Sequence, residues 1–410
     1  MLQIIQALIA PLTSLFVMLL SNGLYTTLIS VRLDLDAAPS WVIGIATSAY
    51  YLGFMIGCLQ IEPFIKRIGH IRAFAIFAAL STIVSLLPGM IADKTTWIVM
   101  RCIAGFAIAG TYIVIESWLL SSSNAKNYGR VVSIYMISLY GGQSLGQLLL
   151  NIGSPYQITQ FGIASILACL SIIPVCLTYR PSPALEESTS LSLFKLYQVS
   201  PTGFVNVFVA GMILASVYGF LPVFVNAYAG GMKEVSITML LVILGGVSLQ
   251  YPIGHVSDIF DRSWVMLFLT IATGVVSIAT ILSIAYSKIL FWALITLFGG
   301  IAFTLYPIGI SHTCDRVSKE SIVAVISGLV LSYSAGAIIG PLIAPLFMAY
   351  FGGQGLFIYF AVLTALMTIF TLWRWQQRPR VSSEEQGDYV PAPITPVANE
   401  LNPRCEEDTV

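Results

Sequence analysis

Two charged side chains, Arg101 and Glu116, fall well inside apolar stretches of the chain, and they have the clearest capacity for chemistry. A guanidinium can hold an anionic group, and a carboxylate can carry a proton. On one helix they stand about 22 Å apart at 1.5 Å per residue, so they act separately rather than as an ion pair. Uncharged polar groups at similar depth are the candidate solute contacts: Asn22, Tyr25, Tyr50, Tyr51, Tyr112, Tyr140, Gln143 and Gln147, then Tyr218, Gln250, Tyr306 and Tyr333. Amides and phenols among hydrocarbon need partners, so they should line an interior. Gln143 and Gln147 share one helical face with Gly146 beside them. Such a set without a central carboxylate favours a neutral, zwitterionic or amphipathic small solute. The other reactive groups lead nowhere. His70, His255 and His312 are far apart, with His312 expected in a solvated loop. The six cysteines include Cys314, expected in a loop, and show no metal or disulfide spacing, so no cofactor is implied. No phosphate-binding GxxxxGK[ST] loop occurs, which leaves direct ATP use unsupported.

The elements that position these residues follow from composition. Of 410 residues, 57% are hydrophobic and 9% charged, against about 25% charged in soluble globular proteins. An ordinary water-soluble enzyme is excluded. With 19 basic and 19 acidic residues, so is a nucleic-acid binder. A bilayer crossing takes roughly 20 apolar residues. Runs of that kind are expected near 3–31, 40–62, 73–92, 96–121, 130–152, 158–179, 201–227, 235–256, 264–285, 289–312, 321–350 and 354–375. The expected fold is an all-α membrane protein of twelve transmembrane helices in two pseudo-symmetric six-helix bundles, 1–179 and 200–376. A polar linker, 180–199, joins them, and a disordered cytoplasmic tail, 377–410, follows. The first run reads as a span rather than a signal peptide, having no basic segment before it.

Basic residues fix the expected orientation. Loops on one side hold Lys66, Arg67, Arg72, Lys126, Arg130, Arg180, Lys195, Arg262, Arg316, Lys319, Arg374, Arg378 and Arg380. Loops on the other hold Arg32, Lys94, Lys233 and Lys288. The richer side is cytoplasmic, which puts both termini there and the chain in the cytoplasmic membrane.

The halves resemble each other. A shift of 194 residues sets Gly105 on Gly299, Tyr112 on Tyr306, Ser138 on Ser332, Gly142 on Gly336 and Gly146 on Gly340. Parallel repeats of this kind place a solute site between the halves near the bilayer midplane. Four short motifs add to the pattern: Gly254-His-Val-Ser-Asp258-Ile-Phe-Asp261-Arg262, Glu62-Pro-Phe-Ile-Lys66-Arg67-Ile-Gly69-His-Ile-Arg72, Arg101-Cys-Ile-Ala-Gly105, and Gly336-Ala-Ile-Ile-Gly340-Pro341. With twelve spans, the chain resembles the major facilitator superfamily over residues 1–378, and more narrowly a branch of small bacterial facilitators.

That resemblance implies a secondary active transporter, not an enzyme, moving a small solute by alternating access, driven by a proton gradient or by the solute's own gradient. It implies that the loop after the eighth span is a cytoplasmic latch centred on Asp258. In the loop after the second span, Glu62 and Lys66 stand where the family has Gly and Asp, so that latch depends on Glu62. Arg101 would be tied to coupling or helix packing, and Glu116 to the latch's charge relay through Arg67, Arg72 or Arg130, or to coupling as a protonatable group. Drug or metabolite efflux by proton antiport is the alternative within the fold, although the fifth span lacks that type's Gly-Pro pattern. A non-transporting membrane sensor is the alternative outside it. The chain is expected to act as a monomer.

Overall fold

The computed structural model describes residues 2–121, 128–177, 193–228, 230–318, 321–377, 386, 387 and 389. Lys126, Arg180, Lys319, Arg378 and Arg380 lie outside the described residues, as do most of the linker and tail. Among the described residues every regular element is helical.

The first unit, within Met1–Ser188, holds α1 (Leu2–Leu35), α2 (Ser40–Ile68), α3 (His70–Met90), α4 (Lys94–Ser121), α5 (Tyr128–Gly146), α6 (Ile158–Leu170) and α7 (Ile172–Cys176). The second, within Thr189–Ala392, holds α8 (Leu193–Val199), α9 (Pro201–Tyr228), α10 (Met232–Ile259), α11 (Arg262–Ser283), α12 (Lys288–Cys314), α13 (Ile322–Phe351) and α14 (Gly355–Trp375).

Ten described stretches are long and apolar enough to cross a bilayer, and one of them, Ile322–Trp375, contains both α13 and α14. That makes eleven helices, and α5 is the twelfth. Its apolar character is diluted by Tyr135, Tyr140, Gln143 and Ser144.

Three expectations are corrected. The sixth span is broken at Ser171, between α6 and α7. Pro174 explains this, because its ring clashes with the carbonyl of Leu170 four residues earlier and it offers no N–H. Next, α12 runs through His312 to Cys314, so both are buried in a helix end rather than set in a solvated loop. The Arg316 guanidinium caps that end by donating to the His312 carbonyl at 3.1 Å. Finally, three tail residues, Gln386, Gly387 and Tyr389, are in place, and Gly387 and Tyr389 hydrogen-bond to the second unit. The rest of the expected disordered tail lies outside the described residues.

Both units pack by one scheme. Within the first, α2 pairs with α4, α1 with α5 and α3 with α6. Within the second, α10 pairs with α12, α9 with α13 and α11 with α14. Glycine makes these pairings close. A Cβ at Gly105 would run into the carbonyl oxygen of Tyr50, and one at Gly299 into that of Val242. Gly142 and Gly146 lie on the carbonyls of Phe16 and Leu20, just as Gly336 and Gly340 lie on those of Phe208 and Met212. With no hydrophobic drive between helices in lipid, such close backbone contact supplies the dispersion energy. Large apolar side chains such as Leu59, Ile83, Phe268 and Val275 stay exposed on the outside, as a lipid solvent allows.

Candidate functional site

In the first unit, α1, α2, α4 and α5 bring the expected polar residues together. Arg101 is 3% exposed. Its guanidinium carbon lies 4.3 Å from the ring centre of Tyr50 and 5.7 Å from that of Tyr25, and Nη1 donates to Thr26 Oγ1 at 3.3 Å. Among the described residues it has no acidic partner. Aromatic faces and a hydroxyl are thus what solvate a buried cation, an arrangement worth about 2 kcal/mol per desolvated cation–π contact. Asn22 donates from Nδ2 to Gln143 Oε1 at 3.2 Å, tying α1 to α5. A cavity with room for about one water lies beside them, lined by Ser21, Asn22, Tyr25, Ser81 and Ser85 among others. Tyr25 Oη and Ser81 Oγ have no hydrogen-bond partner among the described residues.

Gln147 behaves differently from Gln143. It opens a 3-10 turn, Gln147–Asn151. Its Oε1 accepts from Thr27 Oγ1 at 2.7 Å, and its Nε2 donates to the Gly23 carbonyl at 3.0 Å. Both ends of the amide are therefore occupied by α1, as in an interhelical lock. Tyr112 is buried edge-on to Phe54, with ring centres 6.2 Å apart.

Further along α4, Glu116 is fully buried and accepts a short hydrogen bond from Tyr135 Oη on α5. Tyr135 had no signal in the sequence, because no spacing links it to Glu116. Arg67 and Arg72 are exposed. Gly69 alone connects α2 to α3, with φ +83°. That left-handed conformation favours glycine, which gives this motif residue a structural reason. Glu62 pairs with Lys66 one turn away on α2, at 2.9 Å.

In the second unit, Tyr306 on α12 and Tyr333 on α13 meet edge to face at 4.9 Å, and Tyr218 on α9 lies 6.2 Å from Phe303. Gln250 is half-buried on α10. The loop motif forms the strongest charge cluster. Arg262 is fully buried at the start of α11. Nη1 reaches Asp315 Oδ2 at 2.6 Å and Nη2 reaches Asp258 Oδ1 at 2.8 Å. Nη2 also donates to the carbonyl of Gly387 at 2.9 Å. Asp261 is the N-cap of α11, accepting from the Ser263 N–H at 2.8 Å. Asp315, Gly387 and Tyr389 were not expected members of this cluster. Arg316, beside them, is within 3.1 Å of both ring nitrogens of His312.

Comparison with known proteins agrees with this architecture. The family model described as Major Facilitator Superfamily matches residues 12–246 and 203–404. A relative from Escherichia fergusonii, described as the uncharacterized MFS-type transporter YcaD, is 29% identical over 88% of this chain and 94% of its own. A counterpart of the same description from Escherichia coli O45:K1 is 28% identical with the same coverage. Among solved structures, the nucleoside transporter NupG superposes with a TM-score of 0.77 at 13% identity, covering 91% of this chain and 100% of that one. A D-xylose-proton symporter superposes with a TM-score of 0.72 at 12% identity, over 93% and 98%. At such identities the likeness is one of fold.

Proposed function

The chain belongs to the major facilitator superfamily, a family of membrane transporters and not of enzymes, and on that footing we propose that it carries a small zwitterionic or anionic solute. The observation that carries the reading is Arg101, a buried cation held by Tyr25, Tyr50 and Thr26 with no acidic partner among the described residues. A desolvated guanidinium is far better compensated by a carboxylate or phosphate than by ring faces alone. A solute with a negative group completes that site, while Asn22 and Gln143 offer hydrogen bonds to its remainder. This narrows the solute classes that the uncharged residues alone admit.

Transport is by alternating access in the cytoplasmic membrane, with both termini cytoplasmic as the distribution of basic residues implies. Protons are the coupling ion, and the buried Glu116–Tyr135 pair is the group that carries them. Asp258 is the switching carboxylate of the cytoplasmic latch. The uncharged amides and phenols around the site, Asn22, Gln143 and Tyr112, favour a second reading, a neutral polar solute bound without Arg101.

A thermal-shift panel on the purified protein separates the two. A ligand at a hundred times its Kd stabilises by about 2.7 kcal/mol. Amino acids, short carboxylates, nucleosides and pentoses are tested against wild type, Arg101→Gln and Glu116→Gln. A stabilising carboxylate whose effect disappears in Arg101→Gln supports the reading. A nucleoside or pentose that stabilises wild type and Arg101→Gln equally overturns it.

A further inference from the structure

We propose that Gly387 and Tyr389 of the tail form a docking strap, which sits on the latch of the second unit and holds it in one state until it is released. The strap grips through its backbone. The Gly387 carbonyl accepts from Arg262 Nη2 at 2.9 Å, and the Tyr389 N–H donates to Asp258 Oδ1 at 2.7 Å. The same Asp258 oxygen takes Arg262 Nη2 at 2.8 Å. One acceptor and one donor, two residues apart on the tail, thus bracket the Arg262–Asp258 ion pair.

The third contact is steric. The Tyr389 ring covers Gly254, where an added Cβ would collide with ring carbons. Gly254 lies inside α10, where glycine costs about 1 kcal/mol relative to alanine and the helical backbone does not require it. Here its missing side chain makes the seat for the tyrosine.

The consequence rests on reading Asp258 as the switching carboxylate. While the strap is seated, Arg262 and a backbone N–H both occupy the Oδ1 of Asp258, and Arg262 is fully enclosed. A competing partner must displace one of these bonds, so the seated strap slows exchange of the latch. Release of the strap frees both groups. The strap is therefore an intramolecular brake on the cycle, and anything that competes for Gly387 and Tyr389 acts as an activator.

The test uses the full chain in detergent micelles and has two arms. The first measures hydrogen exchange at the Tyr389 amide. The N–H is bonded to a carboxylate, so Gly254→Ala or Tyr389→Ala should speed its exchange by about tenfold or more. Because Tyr389→Ala leaves α10 untouched, it guards against a folding defect in the glycine variant. Equal exchange in wild type and both variants overturns the docking itself. The second arm uses Cys314, buried next to Asp315, as the sole cysteine in a background where the others are serine. Tyr389→Pro removes the donated N–H, and the alkylation rate of Cys314 should rise severalfold. Fast amide exchange in the variants with an unchanged Cys314 rate shows a docked tail without a braking role, and overturns the strap. The first arm stands whatever the solute or the latch assignment proves to be.

Discussion

Replacing Asp315 by Asn tests how the buried charge cluster is held together. Arg262 is fully enclosed and Asp315 is 2% exposed on its side chain, whereas Asp258 is 27% exposed. Removing one partner of a buried pair costs about 3–5 kcal/mol, because the remaining charge stays desolvated. Asp258 still faces Arg262 in the variant, which puts the expected loss at the lower end, about 3 kcal/mol. Asp258→Asn removes a partner that water partly solvates already, so its loss should be about 1 kcal/mol after discounting for screening. For a unit of 150–250 residues each kcal/mol moves Tm by about 2–4 °C. Thermal unfolding of the purified protein, followed by intrinsic fluorescence, should then show Asp315→Asn lower by about 6–12 °C and Asp258→Asn lower by about 2–4 °C. The double variant should fall short of the sum, since both carboxylates act on one guanidinium. An Asp315→Asn protein that melts with wild type, or an Asp258→Asn protein that melts below the Asp315→Asn protein, refutes the reasoning.

Four further outcomes are expected. Gly105→Ala and Gly299→Ala should each cost about 1–3 kcal/mol, since the new methyl meets a backbone carbonyl that cannot step aside. Gly162→Ala, with open space around it, should gain up to about 1 kcal/mol in the same unfolding assay. Tyr135→Phe takes away a hydrogen bond that Glu116 accepts, and should cost about 1–3 kcal/mol for a buried acceptor left short. Asp93 caps α4, and the backbone N–H of Thr96, then its hydroxyl, hold the carboxyl below its ordinary 3.8. A lowered carboxyl contributes stability that is full above its unfolded value and lost as pH falls through the folded one. The gap between wild type and Asp93→Ala should thus persist near neutral pH and close in acid, as read from melts over a pH series.

The helices were legible because each is an apolar run of bilayer length closed by Pro, Gly or charge, and most ends fall within a few residues of expectation. The break at Ser171 was legible in principle through Pro174, which acts on the carbonyl four residues back. The repeat showed in Gly142, Gly146, Gly336 and Gly340, since close backbone approach leaves no freedom in residue type. Pairings across helices were not legible. Nothing in local spacing connects Glu116 to Tyr135, Thr27 to Gln147 or Tyr389 to Asp258, because these contacts are set by helix rotation and tertiary packing. Gln147 and Gln143 look alike in sequence. Only their neighbours show that one amide is filled by α1 at both ends while the other meets Asn22.

The duplicated scaffold makes the differences between its halves informative. α3 begins at His70 and α11 at Arg262. The same offset sets Lys66 against Asp258 and Glu62 against Gly254. An offset of 194 sets Trp118 against His312 and Ser121 against Asp315. In the first unit, the His70 ring lies beside Trp118 with centres 5.8 Å apart. In the second unit, the matching position holds a guanidinium between two carboxylates. The second unit therefore holds a buried charge cluster at this position, where the first has an aromatic contact. Its Glu62–Lys66 pair is partly solvated, at 19% and 33% exposure, and such pairs are worth about 0–1 kcal/mol. The reverse holds deeper in the bundle, where Arg101 has Ile295, fully buried, as its counterpart. A scaffold constrained by glycine contacts conserves its geometry through duplication, whereas a buried charge survives only where a partner repays its desolvation. On that reasoning the proposed solute supplies from outside the chain the partner that Arg101 lacks among the described residues, whereas the chain itself supplies the partners of Arg262.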